Sequence, residues 1–214
     1  GNNLGRHLSG RTTFSLDVTE YVNKNGENRI AVKAEHPSMI TDMPWVCGGC
    51  SSEWGFSEGS LPMGIFRPVT LEIIDQVRIE PFGVHIWNHD TQNLYIETEI
   101  KNYSSSKETV EFVTRLNDDN GIAVFRITDS ITLLPGEKKV IKQISPDLKN
   151  PRLWSDKDPY LYRLASVVKR DGVTTEEVTT PYGIRTVSWP IKRNDGNNTF
   201  QINGKSVFLN GVSE

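Results

Sequence analysis

Two cysteines are the first residues of this sequence whose spacing could carry chemistry. Cys47 and Cys50 form a C-x-x-C motif. A zinc site needs four ligands, usually from two such clusters, and none of the four histidines forms a second cluster near the cysteines at the usual spacing. A redox role requires a helix N-terminus that lowers the thiol pKa, and Gly48-Gly49 opens no evident helix. We therefore interpret the pair as free thiols or a local disulfide, and we predict no metal site and no cofactor.

Aromatic side chains in one loop are the candidates for binding a ligand. Trp45, Trp54 and Phe56 lie in a Gly-rich loop that spans residues 44–64. Aromatic rings stack on sugar rings through dispersion and CH–π contacts. Trp45 and Trp54 are therefore the candidate substrate-binding residues. The alternative is that these rings pack the loop onto its own domain, which is the commoner use of large aromatic side chains.

Acidic residues are numerous enough for pairs to arise by coincidence, since the chain has 27 of them. Glu53 and Glu58 share the Gly-rich loop, whereas Glu97 and Glu99 lie on one strand face, where we expect a solvated surface. Asp17 is expected to cap a turn by accepting backbone N–H groups. We assign no catalytic residue to this chain.

The elements that position these side chains are predicted to be β-strands. Apolar and polar residues alternate along many segments, and no helical period is present. We predict strands over residues 14–18, 30–34, 69–73, 94–100, 110–116, 131–134, 140–144 and 161–168. Turn signals separate the later ones, among them residues 117–121, Pro135-Gly136 and Asp171-Gly172. Many short strands with turns between them predict an all-β fold of sandwiches.

Charge and composition exclude several kinds of partner. The net charge of −3 and the pI of about 5.9 favour neither nucleic acid nor an anionic membrane surface. No apolar run approaches the roughly 20 residues that span a bilayer. Glycosylation tripeptides begin at Asn102 and Asn197, but this pattern is common by chance and we discount both. We also expect Arg67 and Arg185 to pair with carboxylates at a domain junction.

Several segments, in order along the chain, resemble the glycoside hydrolase family 2 enzymes. GRTTFSLDVT (residues 10–19) and GENRIAV (26–32) are similar to the sugar-binding jelly-roll domain of that family, and GIFRPVTL (64–71) to the strand that ends it. PRLW (151–154), PYLY (159–162) and YGIR (182–185) resemble the immunoglobulin-like middle domain. FQINGKSVFLNG (200–211) resembles the hairpin that leads into the catalytic barrel.

The resemblance implies an organisation in three parts. Residues 1–75 would be the C-terminal part of the jelly-roll, residues 76–188 an immunoglobulin-like β-sandwich, and residues 189–214 a linker with the hairpin. The early jelly-roll strands would precede Gly1, and the barrel with both catalytic glutamates would follow Glu214. A jelly-roll without its early strands exposes edges and an apolar face, so self-association into a homo-oligomer is expected.

By resemblance, the function is that of a non-catalytic accessory region in a retaining glycosidase. The enzyme would act on β-linked sugars, as β-galactosidases do, and its partners would be the carbohydrate substrate and its own catalytic barrel. Two alternatives remain open, a stand-alone carbohydrate-binding module and an adhesion segment of immunoglobulin-like domains. The sequence does not specify a compartment, although a role with carbohydrate favours the periplasm or the extracellular space.

Overall fold

The computed structural model describes residues 1–8, 12–35, 64–65, 67–189 and 199–211. The chain divides into two compact units, residues 1–70 and residues 71–213. The described ranges contain strands and turns but no helix, and hence no helix that could cross a membrane. The predicted all-β fold class is confirmed.

The three strands predicted near the start of the chain are not formed in the described residues. Residues 14–18, 30–34 and 69–73 contain no strand, and their apolar side chains are largely exposed. The prediction was wrong because alternation of apolar and polar residues indicates which face would be buried. It does not supply the neighbouring strand that a stable strand must pair with.

Asp17 caps a turn in the first unit, as predicted. Its Oδ1 accepts the backbone N–H of Thr19 at 2.9 Å. The turn continues as the N–H groups of Tyr21 and Val22 donate to the carbonyl oxygen of Val18. Hydrogen bonds from Thr19 hold the pKa of the Asp17 carboxyl below its usual value, which is the behaviour of a carboxylate used to close a turn.

Among its described residues the second unit contains ten strands, seven of them long enough to build a domain. These seven are β1 (Val77–Trp87), β2 (Tyr95–Asn102), β3 (Glu108–Asn117), β4 (Ala123–Leu133), β5 (Lys138–Ile144), β6 (Tyr162–Arg170) and β7 (Val173–Tyr182). Three short strands follow, β8 (Val187–Ser188), β9 (Gln201–Ile202) and β10 (Lys205–Ser206). The strands predicted within residues 94–168 are all present.

The seven long strands form two antiparallel sheets. Sheet A has the order β1-β2-β5 and sheet B the order β4-β3-β6-β7. The short strands form a third sheet in the order β10-β9-β8. At the turn between β6 and β7, Asp171 and Gly172 have φ values of 51° and 78°, which is the left-handed geometry that a two-residue hairpin turn requires.

Between sheets A and B lies a core made of two apolar clusters. Alternation along β2 turns Ile96, Thr98, Ile100 and Asn102 inward, and all four are buried. One cluster includes Ile100 and eight other residues: Val77, Ile79, Val110, Phe112, Ile131, Leu133, Ile141 and Val168. The other includes Ile96 and eight more: Ile86, Leu94, Leu116, Phe125, Leu148, Tyr162, Leu164 and Ile184.

Asn102 has a structural role that rules it out as a glycosylation site in this fold. Its side chain is fully buried, and Nδ2 donates to the carbonyl oxygens of Ser106, Leu133 and Leu134 at 2.8, 3.4 and 3.1 Å. An amide used in this way closes the turn after β2. The decision to discount Asn102 is therefore confirmed, whereas Asn197 lies outside the described residues.

The outer face of each sheet carries ion pairs. On sheet A, Glu97 pairs with Lys142 at 2.8 Å and Glu99 with Lys138 at 3.0 Å, so the predicted solvated face is confirmed. On sheet B, charged side chains surround a small buried strip of Val113, Ala165 and Val167. Long charged side chains can cover apolar surface with their stems while their charged ends stay in water.

A bulge interrupts β1. Ile79 pairs with Ile100 and Val84 with Thr98, so residues 80–83 lie opposite Glu99 alone. Phe82 has a φ of 59° and is 88% exposed. An aromatic residue rarely adopts this left-handed conformation. Next to it, a Cβ on Gly83 would lie 2.7 Å from the carbonyl oxygen of Glu80, so the bulge requires glycine there.

A partly buried carboxyl group ties the two sheets together at the start of the sandwich. Glu176 on β7 accepts the backbone N–H of Ile79 on β1 at 2.5 Å, and its side chain is only 14% exposed. Burial raises the pKa of the Glu176 carboxyl, and the hydrogen bond from the Ile79 N–H and the nearby Arg78 guanidinium only partly oppose this. In the folded protein the ionised form of Glu176 is therefore disfavoured relative to the unfolded chain.

Glu176→Gln should change how stability depends on pH. The pKa of Glu176 in the folded protein is raised above its value of 4.5 in the unfolded chain. Its contribution to the free energy of unfolding is therefore fully present below pH 4.5 and is lost as pH rises through the folded pKa. The glutamine oxygen can still accept the Ile79 N–H but cannot ionise. Urea unfolding at a series of pH values should show the variant gaining stability relative to the wild type as pH rises.

Glu177→Gln is the matched control for the loss of one negative charge, since Glu177 is its neighbour on β7 and is exposed. The assignment of a raised pKa to Glu176 would be contradicted if the stability difference between Glu176→Gln and the wild type were constant with pH. It would also be contradicted if the variant gained stability relative to the wild type as pH fell.

Candidate functional site

The residues predicted to bind substrate, Trp45 and Trp54, lie outside the described residues, as do Cys47 and Cys50. Nothing in the structure tests these predictions. Within the described ranges, no group of three or more His, Cys, Asp or Glu side chains could hold a metal ion. The candidate site lies among the other motifs of the sequence, at one end of the second unit.

Three of those motifs meet at one end of the sandwich. Trp154, which follows β5, donates its backbone N–H to the carbonyl oxygen of Ile184 after β7 at 2.9 Å. The carbonyl oxygen of Trp154 accepts a hydrogen bond from Nδ2 of Asn203, in the turn between β9 and β10, at 3.0 Å. Segments about 30 and 50 residues apart in sequence are thus joined through one backbone position. We refer to Asn88, Trp154, Tyr182, Arg185 and Asn203 as the junction network.

Close packing of Trp154 explains the glycine at position 183. A Cβ on Gly183 would lie 2.8 Å from Cβ, Cγ and Cδ1 of Trp154, closer than real side chains approach. Only glycine allows the indole to lie against this backbone. The structure therefore shows a close approach between two distant segments at this glycine.

Arg185 covers the indole instead of pairing with a carboxylate. Its guanidinium lies 5.0 Å from the centroid of the Trp154 ring, and Nη1 donates to the carbonyl oxygen of Gly183 at 2.9 Å. In the part of the chain that the structure describes, neither Arg67 nor Arg185 forms an ion pair. The prediction was wrong for Arg185, because residue type does not distinguish an aromatic from a carboxylate partner.

Asn203 fixes the short hairpin to the sandwich. Asn203 and Gly204 have φ values of 51° and 73°, which is the geometry of a two-residue Asn-Gly turn. The side chain of Asn203 bonds on both sides: Oδ1 accepts the N–H of Thr186 at 3.0 Å, while Nδ2 donates to Trp154. The backbone N–H of Asn203 donates to the carbonyl oxygen of Thr186 at 2.9 Å. One residue therefore sets both the turn and its attachment.

Asn88 connects the same region to sheet A. Its Nδ2 donates to the carbonyl oxygen of Arg185 at 2.9 Å, and its Oδ1 accepts the hydroxyl of Tyr182. Burial raises the pKa of the Tyr182 phenol, so this hydroxyl stays protonated and can donate at neutral pH. The end of β1, the end of β7 and the hairpin thus share one hydrogen-bonded network.

The loop before β6 is held by its own polar contacts. Arg152 donates to Asp158 through Nε and Nη2 at 3.0 and 2.8 Å, and its guanidinium lies 4.3 Å from the centroid of the Tyr160 ring. The hydrogen bonds from Arg152 lower the pKa of the Asp158 carboxyl. An open cavity of about 280 Å³ lies beside this loop, with Leu116 and Ile184 in its apolar lining. The bidentate pair stabilises the loop, and both carboxyl oxygens of Asp158 are used in the pairing with Arg152.

The network contains amide, aromatic and guanidinium groups and is suited to holding segments together. Chemistry at a glycosidic bond requires two positioned carboxyl groups. Of the carboxylates considered in the sequence, Glu97 and Glu99 pair with lysines on an outer sheet face. Glu53 and Glu58 lie outside the described residues.

The protein family of this chain is established by a match to a family model. The model, described as "Glycosyl hydrolases family 2", matches residues 74–185, which is more than half of the chain. The chain belongs to glycosyl hydrolase family 2. The match covers β1 through β7 and ends at Arg185 of the junction network. The resemblance inferred from the sequence motifs is therefore confirmed.

Individual members of family 2 are similar over nearly the whole chain. A β-glucuronidase of Formosa agariphila is 26% identical over 226 residues, covering 99% of this chain and 22% of that protein. The β-galactosidase BoGH2A of Bacteroides ovatus is 28% identical over 216 residues, covering 99% of this chain and 23% of that protein. The chain thus spans about a fifth of the length of these relatives.

A solved structure shows the same fold. The β-D-mannosidase of Dictyoglomus thermophilum aligns with a TM-score of 0.61 and 24% identity, covering 82% of this chain and 22% of that one. At this identity the likeness concerns the fold alone. It agrees with the β-sandwich architecture of the second unit.

Two residues of the junction network make long-range contacts that the sequence did not indicate. Asn88 follows β1 without any pattern that indicates a contact 97 residues away. For Asn203, the Asn-Gly pair indicated a turn, but not the bond to Trp154. Contacts of this kind depend on how distant segments meet, and local patterns do not specify them.

Asn203→Gly should loosen the hairpin without unfolding the sandwich. Glycine keeps the left-handed turn but removes both side-chain hydrogen bonds, each with a net value of about 1 kcal/mol. We expect the protected amide of Val207, which donates to Phe200, to exchange with solvent roughly tenfold faster or more. Hydrogen exchange followed by NMR measures this directly, with amides of β2 and β6 as the internal reference.

Asp171→Gly provides the matched control, since Asp171 has the same φ of 51° in the other two-residue turn. It should leave the exchange of Val207 unchanged. Equal effects of the two substitutions, or none for Asn203→Gly, would show that the side chain of Asn203 does not hold the hairpin.

Proposed function

We propose that this chain is a non-catalytic accessory region of a retaining glycoside hydrolase that acts on β-linked sugars, with β-galactosidase-like specificity. Membership of glycosyl hydrolase family 2 supports the class of enzyme. The two relatives described above are called a β-galactosidase and a β-glucuronidase, which supports β-linked sugars as the substrate class.

We propose the domain organisation that the sequence motifs imply. Residues 1–75 are the C-terminal part of a sugar-binding jelly-roll, residues 76–188 an immunoglobulin-like sandwich, and residues 189–214 a linker and the hairpin. Seven antiparallel strands in sheets of three and four support the second assignment. The division of the chain near residue 70 lies close to the first boundary.

Attachment of the hairpin to the sandwich is the observation that carries the accessory role. Asn203 joins β9 and β10 to Trp154 and Thr186, so the hairpin is held against the end of the sandwich. In the proposed enzyme this hairpin leads into the catalytic barrel. The sandwich then acts as a support that sets the position of the barrel relative to the preceding domain. Self-association of the chain would cover the exposed apolar side chains of residues 1–35.

The isolated chain should hydrolyse no glycoside. A retaining mechanism needs a nucleophile and an acid/base carboxyl group about 5 Å apart, and we place both on the barrel. Release of nitrophenol from nitrophenyl β-galactoside and β-glucuronide should stay at the level of the buffer blank. Turnover by the purified chain, at a rate that follows its concentration, would overturn the proposal. A complete family 2 enzyme is the positive control.

We also propose that Trp45 and Trp54 contact the substrate in the full-length enzyme. The support is compositional, since two large aromatic rings in a Gly-rich loop suit stacking on sugar rings. Trp45→Ala and Trp54→Ala should raise KM for oligosaccharides while kcat is retained. A nitrophenyl monosaccharide, which carries a single sugar ring, serves as the comparison substrate. Unchanged kinetics on oligosaccharides for both variants would refute this role.

A further inference from the structure

Three hydroxyl-bearing side chains lie in the middle of the sandwich core. They are Thr98 on β2, Thr114 on β3 and Ser166 on β6, and each is 0% exposed. Thr114 and Ser166 are directly opposite each other in sheet B. Thr98 belongs to the central strand of sheet A, which faces them. Buried hydroxyl groups on both sheets are uncommon, since most inward-facing side chains of this core are apolar.

These hydroxyl groups lie between the two apolar clusters, which the partly buried Val84 also contacts on both sides. On β2, Thr98 lies between Ile96 of one cluster and Ile100 of the other. On β6, Ser166 lies between Leu164 and Val168, which divide between the clusters in the same way. Thr98 and Ser166 therefore lie at the same level of the sandwich, on opposite sheets. We call this level, with Thr114, the polar layer.

A hydrogen-bonded chain reaches the polar layer from the rim. Oγ1 of Thr114 donates to Oε1 of Gln143 at 2.6 Å, and Nε2 of Gln143 donates to Oδ2 of Asp129 at 2.6 Å. Gln143 belongs to sheet A and is buried, whereas Asp129 belongs to sheet B and is partly buried. Since Thr114 uses its only proton in this chain, its oxygen can act only as an acceptor toward any further partner.

Thr98 and Ser166 differ from Thr114 in their hydrogen bonding. Among the described residues, neither Oγ1 of Thr98 nor Oγ of Ser166 has a hydrogen-bond partner. A hydroxyl removed from water without a partner loses its hydration with no compensation, which is why buried polar groups are nearly always paired. Two such groups at one level on facing sheets indicate a shared partner.

We propose that a buried water molecule binds in the polar layer between Thr98 and Ser166. Such a water accepts a hydrogen bond from one hydroxyl and donates to the other, and it can donate its second proton to the oxygen of Thr114. Buried waters typically make about three hydrogen bonds to polar groups of this kind. A cation or anion fits less well, because the three groups that face the site are neutral. The charge of Asp129 is at the rim and is engaged with Gln143.

The bound water would align the two sheets. Apolar side chains can slide past one another at small cost, whereas displacement of one sheet would leave the hydroxyl groups of the polar layer unpaired. The water thus makes the relative position of sheets A and B unique. Both ends of the sandwich depend on this alignment, since Glu176 joins the sheets at one end and Asn88 joins them at the other.

Magnetic relaxation dispersion of labelled water tests the site on the 214-residue chain. The wild type should contain a long-lived internal water whose signal is lost in Thr98→Val and in Ser166→Ala. Thr132→Val is the control, because the hydroxyl of Thr132 lies on the outer face and bonds that of Thr109 at 2.9 Å. It should retain the signal. Absence of a long-lived water from the wild type, or its persistence in both Thr98→Val and Ser166→Ala, would overturn the proposal.

The sign of the stability change provides a second test. If the water is bound, Thr98→Val removes one of its partners and should lower the urea midpoint. The double variant Thr98→Val/Ser166→Ala should then lose less stability than the two single variants lose in total. The reason is that the first substitution already releases the shared water. If the hydroxyl groups are unpaired, the isosteric Thr98→Val should raise the midpoint. That result, or strict additivity of the two substitutions, would refute a shared water.

Discussion

Contact between the Trp154 indole and the backbone at Gly183 is the constraint on which one end of this structure depends. Because no side chain separates the two segments, the N–H of Trp154 reaches Ile184 and its carbonyl oxygen remains available for Asn203. The hairpin is therefore fixed to the backbone of Trp154, which is itself hydrogen-bonded to the buried Ile184. Apolar packing determines the geometry here, and the hydrogen bonds make the arrangement specific.

The sandwich combines two apolar clusters with a few polar side chains that connect its strands through hydrogen bonds. Glu176 joins β1 to β7 at the start of the domain, and Asn88 joins the end of β1 to the segment after β7. Asp75, just before β1, pairs with Arg170 at 2.8 Å, which fixes the direction in which the chain enters. The first and last long strands of the domain are therefore tied to each other near both of their ends. Its surface ion pairs contribute little to stability by comparison.

Local patterns predicted the second half of the fold well because its strands find partners within the same unit. Residues 94–100 and 110–116 alternate cleanly, and Asp171-Gly172 and Asn203-Gly204 favour left-handed turns. The same alternation failed for residues 14–18 and 30–34, where no described strand lies beside them. The ties made by Glu176 and Asn88 were also not predicted, since each spans 97 residues. Hence the turns could be inferred from residue type, whereas the junction network required the structure.

The bulge of β1 has a consequence for the open side of sheet A. β1 is an outer strand, and an outer strand normally offers its free N–H and C=O groups to any chain that can extend the sheet. Pro81 has no N–H to offer, and Phe82 turns the backbone into a left-handed conformation at the same point. A foreign strand that began to pair along β1 would lose its register after a few residues. The strained position that holds Phe82 in solvent therefore also limits uncontrolled growth of the sheet into aggregates.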